Sequence, residues 1–242
     1  MKRVLTSLGI GAATVDTVLP TTLTAGESVD ARVDVTGGND SQAVDGIYFA
    51  LETRYETDDS TGTAKIDTFR LADSFTIEPD EERSFTVSVD VPYHTPVTLG
   101  KTKVWLDTGL DIDWAVDPDD RDPIEIKPDP LRQALFDALE SLGFTLRSAK
   151  CEATESLFAD HRFVQELEFV PRSGPFAGEL DELEVVTLPE GDGFDLLLEV
   201  DRRGGLLTEQ FDLDEQYERL SLMPSEEADL ERRLRTVIER NC

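Results

Sequence analysis

A thiol and an imidazole ten residues apart, Cys151 and His161, are the pair in this chain from which a nucleophile with its own base could be built. Such a thiol attacks as the thiolate, which forms where the surroundings are electropositive. Glu152, Glu155 and Asp160 crowd this pair instead. The pair therefore reads as a half-buried cysteine and a surface histidine. The other histidine is His94, and no Gly-x-Ser-x-Gly elbow is present. No catalytic residue and no cofactor is assigned, and the chain reads as a non-enzyme.

The second chemistry is that of a hard cation. Asp111, Asp113, Asp117 and Asp119, followed by Asp120 and Asp122, bring enough oxygen into one stretch to suit calcium. The glycine turn and the closing glutamate of a calcium loop are missing. Carboxylates fall close together by chance in a chain with 52 acids, so the stretch reads as a hydrated acidic turn. No metal is assigned; those four aspartates are the weak candidates. Two basic clusters, Arg202-Arg203 and Arg232-Arg233-Arg235, could hold an anion, but in such surroundings they are expected to pair with nearby carboxylates.

The charge sets limits on partners. Against 52 acids stand 23 bases, a net charge of -29, with the acids spread along the 242 residues. Nucleic acid and anionic membranes call for a concentrated basic patch, and none is offered. Other proteins are the expected partners; whether the chain is a monomer or a homo-oligomer stays open. Scarce lysine and abundant aspartate and threonine point to a halophilic cytoplasm, where salt screens the self-repulsion. The opening MKRVLTSLGIGAATV is broken by Thr6, Ser7 and Gly9 and does not read as a secretory signal. No stretch reaches the roughly 20 apolar residues of a membrane span. Two cysteines make no disulfide framework, and the expected location is cytoplasmic.

The elements that must position these residues are mostly strands. Apolar residues alternate at Val29, Ala31, Val33 and Val35, again at Ile47, Phe49 and Leu51, and again at Phe85, Val87 and Val89. Residues 14–19, 99–106 and 124–126 are shorter candidates, and residues 64–75 suggest one strand broken by a bulge. The alternation sets Trp105 against Val104, so one of the two faces inward; Trp105 is read as core and Trp114 as packing near the boundary. About seven strands without a helix predict an antiparallel sandwich over residues 1–127. Lys127, Pro128, Asp129 and Pro130 then form an interdomain hinge. Pro130 suits the first helical turn and Asp129 its N-cap. Leu131, Leu135, Leu139 and Leu142 stripe a helix over about 130–142 that stops at Gly143. Strands at 145–152, 163–170, 183–188 and 194–200 follow. A helix over about 225–240, with Ser225 as N-cap, ends the second domain, 128–242.

Four runs, GIGAATVDTVL, TPVTLGKTKVWLDTGLDIDWAVDP, KPDPLRQALFDALESLGF and FVQELEFVPRSGPFAGELDELEVV, occur in that order. Together they resemble the sporulation-control family of arrestin-like proteins, SpoOM, from about residue 4 to about residue 200. The family-motif segment holds Thr98, Gly100, Lys101, Lys103, Trp105, Asp107, Gly109 and Asp111. The resemblance implies a mainly β fold, two arrestin-like β-sandwich domains in tandem, the second carrying a leading and a C-terminal helix. By analogy with arrestin-type folds it implies an adaptor that holds other proteins, while the acidic, halophile-type composition sets this copy outside sporulation itself. The alternative is a small-ligand protein or hydrolase using an interdomain cleft near Lys101, Lys103 and Asp107.

Overall fold

The computed structural model describes residues 12–57, 59–70, 73–112, 119–153, 162–202 and 217–241. These residues fall into two compact units. The first takes in the described residues up to Thr53, with Lys65–Thr95 and Lys103–Ile126; the second takes in Arg54–Ala64, Pro96–Thr102 and the described residues from Lys127 onward.

The first unit holds β1 (Thr14–Val18), β2 (Thr22–Thr24), β3 (Ser28–Thr36), most of β4 (Gln42–Glu56) and β5 (Thr61–Arg70), and all of β6 (Phe75–Ile77), β7 (Glu82–Asp90) and β8 (Val104–Ile112), together with β9 (Asp119–Lys127) as far as Ile126. One antiparallel sheet runs β1-β3-β7, and a second joins β6 and β8 to β4, then β9 to β8 and β2 to β9. The alternation seen in the sequence is the reason. Along β3, Ala31, Val33 and Val35 are buried while Ser28, Asp30, Arg32 and Thr36 are exposed. A sheet with one apolar face must cover it, and the inner faces meet in a core with Ile47, Phe49, Leu51, Leu106, Leu110 and Val89.

Several expectations are corrected here. The acidic stretch expected as a turn opens a strand at Asp119, and β9 pairs with β8 from Gly109↔Asp119 to Val104↔Ile124. The strand expected at 99–106 begins at Val104, because Gly100 takes φ 57° and the N–H of Thr102 turns back to the carbonyl of Leu99. The expected bulged strand is two strands, β5 and β6. Of the pair at the start of β8, Val104 faces inward at 2% exposure, while Trp105 stays half exposed on the other face, outside the core. Trp114 lies outside the described residues.

The second unit is built on five strands, β10 (Phe144–Ala153), β11 (Phe163–Pro171), β12 (Leu180–Glu190), β13 (Gly193–Arg202) and β14 (Glu218–Leu222), paired antiparallel in sequence order, with the end of β4 beside β10 in parallel at Glu56↔Glu152. Two helices belong to it, α1 (Pro130–Ser141) and α2 (Leu230–Arg240). α1 starts where it must. Pro130 occupies the first turn, and the Asp129 carboxylate accepts from the N–H of Leu131 at 3.0 Å and of Arg132 at 3.2 Å. Gly143 ends it at φ 91°. Leu131, Leu135 and Leu139 are buried, contributing roughly 2 kcal/mol each. Phe136 packs on Phe169, and the Arg132 guanidinium lies 4.8 Å over the Phe194 ring.

Ser225 is not the cap of the last helix. Residues Pro224–Asp229 form a 3-10 turn with no buried side chain, and the buried stripe of Leu230, Leu234 and Ile238 begins only where α2 does. Without an apolar face to bury, those first residues have nothing to hold them in α geometry. β14, unexpected from the sequence, pairs with β13 from Phe194↔Leu222 to Leu198↔Glu218. The mainly β reading, with helices leading the second unit and near the C-terminus, is what the structure shows.

Candidate functional site

The outward face of β4, β8 and β9 in the first unit gathers four polar side chains. Glu52 stands across from Trp105, and Asp107 across from Arg121. Trp105 Nε1 donates to Glu52 Oε2 at 3.1 Å. Arg121 grips Asp107 with both arms of its fork, Nε to Oδ1 at 2.7 Å and Nη2 to Oδ2 at 2.6 Å. The guanidinium also lies 5.1 Å from the centroid of the Trp105 ring, and its Nη2 is 3.9 Å from Glu52 Oε2. A planar cation is thus held both by a carboxylate and by an aromatic face.

The two acids are driven apart. Burial, then a hydrogen bond and the charge of Asp107, push Glu52 above the usual glutamate value, against Trp105 and Arg121. Burial acts the same way on Asp107, but hydrogen bonds from Arg121, Glu52 and Trp105 outweigh it and bring Asp107 below the aspartate value. Gly109, next along this face, lies beneath the ring of Tyr48, and a Cβ there would run into that ring. Tyr48 keeps 38% of its surface exposed. The result is an aromatic and cationic platform on three paired strands.

The motif residues divide between the units. Trp105, Asp107 and Gly109 belong to the platform; Asp111 is exposed at the far end of β8, and Lys103 is exposed at its start, its carbonyl accepting from Thr53 Oγ1 at 2.8 Å. Thr98, Gly100 and Lys101 lie in the second unit. A Cβ on Gly100 would sit 2.8 Å from both the nitrogen and the oxygen of Ala149, and the N–H of Lys101 donates to that oxygen at 2.9 Å. Lys101 Nζ is 3.6 Å from Glu56. Lys101 thus belongs to the second unit, and Lys103 and Asp107 to the first.

At the expected hinge, Lys127 ends β9, Pro128 is half-buried and Asp129 is 1% exposed, tied to Arg132 Nε at 2.8 Å ahead of Pro130. Cys151 is fully buried, at 2%, and not half-buried as expected, because it shares the buried side of β10 with Ala149, opposite the buried Gln165 and Leu167 of β11. His161, Cys242, Asp113 and Asp117 lie outside the described residues, and Asp119 lies in β9. Among the described residues no group of three or more His, Cys, Asp or Glu is arranged to hold a metal ion. Arg232 pairs with Asp229, Arg233 with Glu226 and Arg235 with Glu231, as expected of that cluster. No described helix is long and apolar enough to cross a membrane.

The family model described as SpoOM protein matches residues 1–204. The chain belongs to the SpoOM family. A SpoOM relative, the sporulation-control protein spo0M of Bacillus subtilis (strain 168), is 39% identical over 239 residues, 95% of this chain and 93% of the relative. The crystal structure of Spo0M from Bacillus subtilis superposes with a TM-score of 0.85 at 38% identity, covering 96% of this chain and all of that one. Within this SpoOM chain, sequence reading found Trp105 and Asp107 but missed Glu52 and Arg121. Arg121 had a signal, as the one base in the acidic run 111–122. Glu52 had none, since the pairing of β4 with β8 is written in neither strand alone.

Proposed function

We propose that this chain is a non-enzymatic regulatory adaptor acting through protein–protein contact, a role in keeping with the control function in its relative's name. The observation that carries the reading is the platform of Tyr48, Trp105 and Arg121. Tyrosine, tryptophan and arginine dominate binding energy at protein interfaces, and they do so most when held rigid before the partner arrives. Here the tryptophan N–H is fixed by Glu52 and the guanidinium by Asp107, on three hydrogen-bonded strands. The carboxylates serve the platform by orienting it.

The test is capture of partners from the host's own extract by the wild-type chain and by Trp105→Ala and Arg121→Ala. Both positions are at the surface, so the variants are expected to fold. A saturable partner whose affinity falls about tenfold or more in both variants supports the reading. Partners held equally by all three chains would remove the platform from the function. Turnover of a small substrate that depends on Glu52 or Asp107 would overturn the adaptor reading altogether.

A further inference from the structure

The three-stranded sheet of the first unit has two unlike edges. Along β1, side chains take up backbone groups: the N–H of Ala13 donates to Gln42 Oε1 at 2.7 Å and that of Thr17 to Asp120 Oδ2 at 2.8 Å. β7 pairs with β3 along its whole length, from Ser28↔Asp90 to Thr36↔Glu82, with no bulge. Among the described residues nothing pairs with the other side of its backbone. It has no proline and no lysine, its charged residues Glu82, Arg83 and Asp90 lie at its two ends, and Phe85, Thr86, Val87 and Val89 between them all favour extended backbone. In the second unit, by contrast, Arg233 Nη2 caps the carbonyl of Ser221 in β14 at 2.6 Å.

We propose that β7 is a docking edge, and that its occupant is an extended segment of a partner protein in which basic and apolar residues alternate. The inference rests on the adaptor reading and names the partner's chemistry. A strand laid beside β7 would set every second residue next to the exposed Ser84, Thr86 and Ser88, and the others next to Phe85, Val87 and Val89. Acid flanks the first set. The exposed faces of β3 and β7 carry Asp30, Asp34, Glu82 and Asp90 against Arg32. Lysine or arginine at those positions complements this charge, while apolar residues at the others extend the layer that Val87 and Val89 already form.

A second copy of the chain fits less well. Antiparallel self-pairing about Thr86 would put Glu82 directly opposite Asp90 at both ends, and like charges so placed are destabilising.

The experiment titrates the full chain with a short synthetic peptide alternating valine and lysine, and with its valine–glutamate counterpart, while amide hydrogen exchange is followed. The expected result is slowed exchange at residues 82–90 with the lysine peptide alone. Thr86→Lys with Ser88→Lys, both exposed positions, should weaken that binding about tenfold or more and admit the glutamate peptide. N-methylation of alternate peptide amides, which leaves the protein untouched, should abolish it. Equal binding of the two peptides, protection elsewhere, or no protection at ~1 mM peptide overturns the inference. So does protection of 82–90 without peptide in a particle of doubled mass, which would mark a second copy. Host partners still captured by the doubly substituted chain would remove the edge and leave the adaptor reading standing.

Discussion

The side-chain amide of Gln165 closes on both backbone groups of Val97 as a neighbouring strand would. Its Oε1 accepts from the Val97 N–H at 2.9 Å, and its Nε2 donates to the Val97 carbonyl at 2.6 Å and to Thr102 Oγ1 at 3.0 Å. Gln165 is 6% exposed and Val97 is fully buried. One side chain thus anchors Val97 in a segment, Pro96–Thr102, that belongs to no strand of the second unit.

Gln165→Leu keeps the volume and leaves the Val97 N–H unpaired in a dry site, while the Val97 carbonyl keeps the N–H of Leu99 at 2.8 Å. The expected cost is about 1–3 kcal/mol, since an orphaned buried polar group forfeits its solvation. Urea denaturation measures it, and amides of residues 96–102 should exchange faster. An unchanged midpoint would show that the amide is dispensable.

Asp129 and Arg132 form a buried ion pair at the head of α1, at 1% and 3% side-chain exposure. Arg132→Met should cost about 3–5 kcal/mol, because it strands a buried carboxylate. Asp129→Ser combined with Arg132→Met removes both charges and keeps a cap, so it should recover most of that loss. If the double variant is no more stable than the single one, the cost lies in lost packing on Phe194 and not in charge.

Glu184 on β12 is pushed up to about 7, first by burial and then by the carboxylates of Glu166, Glu199 and Glu182, with Lys150 opposing. A folded-state value above the ordinary 4.5 means that the folded chain binds more protons between the two. Stability should therefore fall as pH rises from about 4.5 through about 7. Glu184→Gln should be more stable than wild type at pH 8 by on the order of 1–2 kcal/mol, with screening taken into account, and the two curves should meet on acidification. Thermal denaturation across that range checks the sign.

A net charge of -29 spread over both units predicts that salt stabilises the fold. The melting temperature should climb between dilute buffer and molar KCl. Equal melting in the two would remove the halophilic reading of the composition.

How much was legible varies by element. The alternation in β3 and β7 and the leucine stripe of α1 stated their own buried faces, because a period of two or of 3.6 sorts side chains before any partner is known. Asp129 and Pro130 marked their helix start for a similarly local reason. The end of the chain was harder to read: Ser225 carries a capping residue's chemistry, but the buried stripe that drives the helix starts at Leu230.

By itself the sequence determined the mainly β class, the two helices, the acidic surface and the family, all of which depend on residue type and near-neighbour spacing. Tertiary structure alone decided that Glu52 and Arg121 meet around Trp105, that Gln165 stands in for a strand beside Val97, and that β7, among the described residues, pairs on one side only. Each of these rests on register between strands far apart in the chain, and register is set by what both partners bury together, which neither strand carries alone.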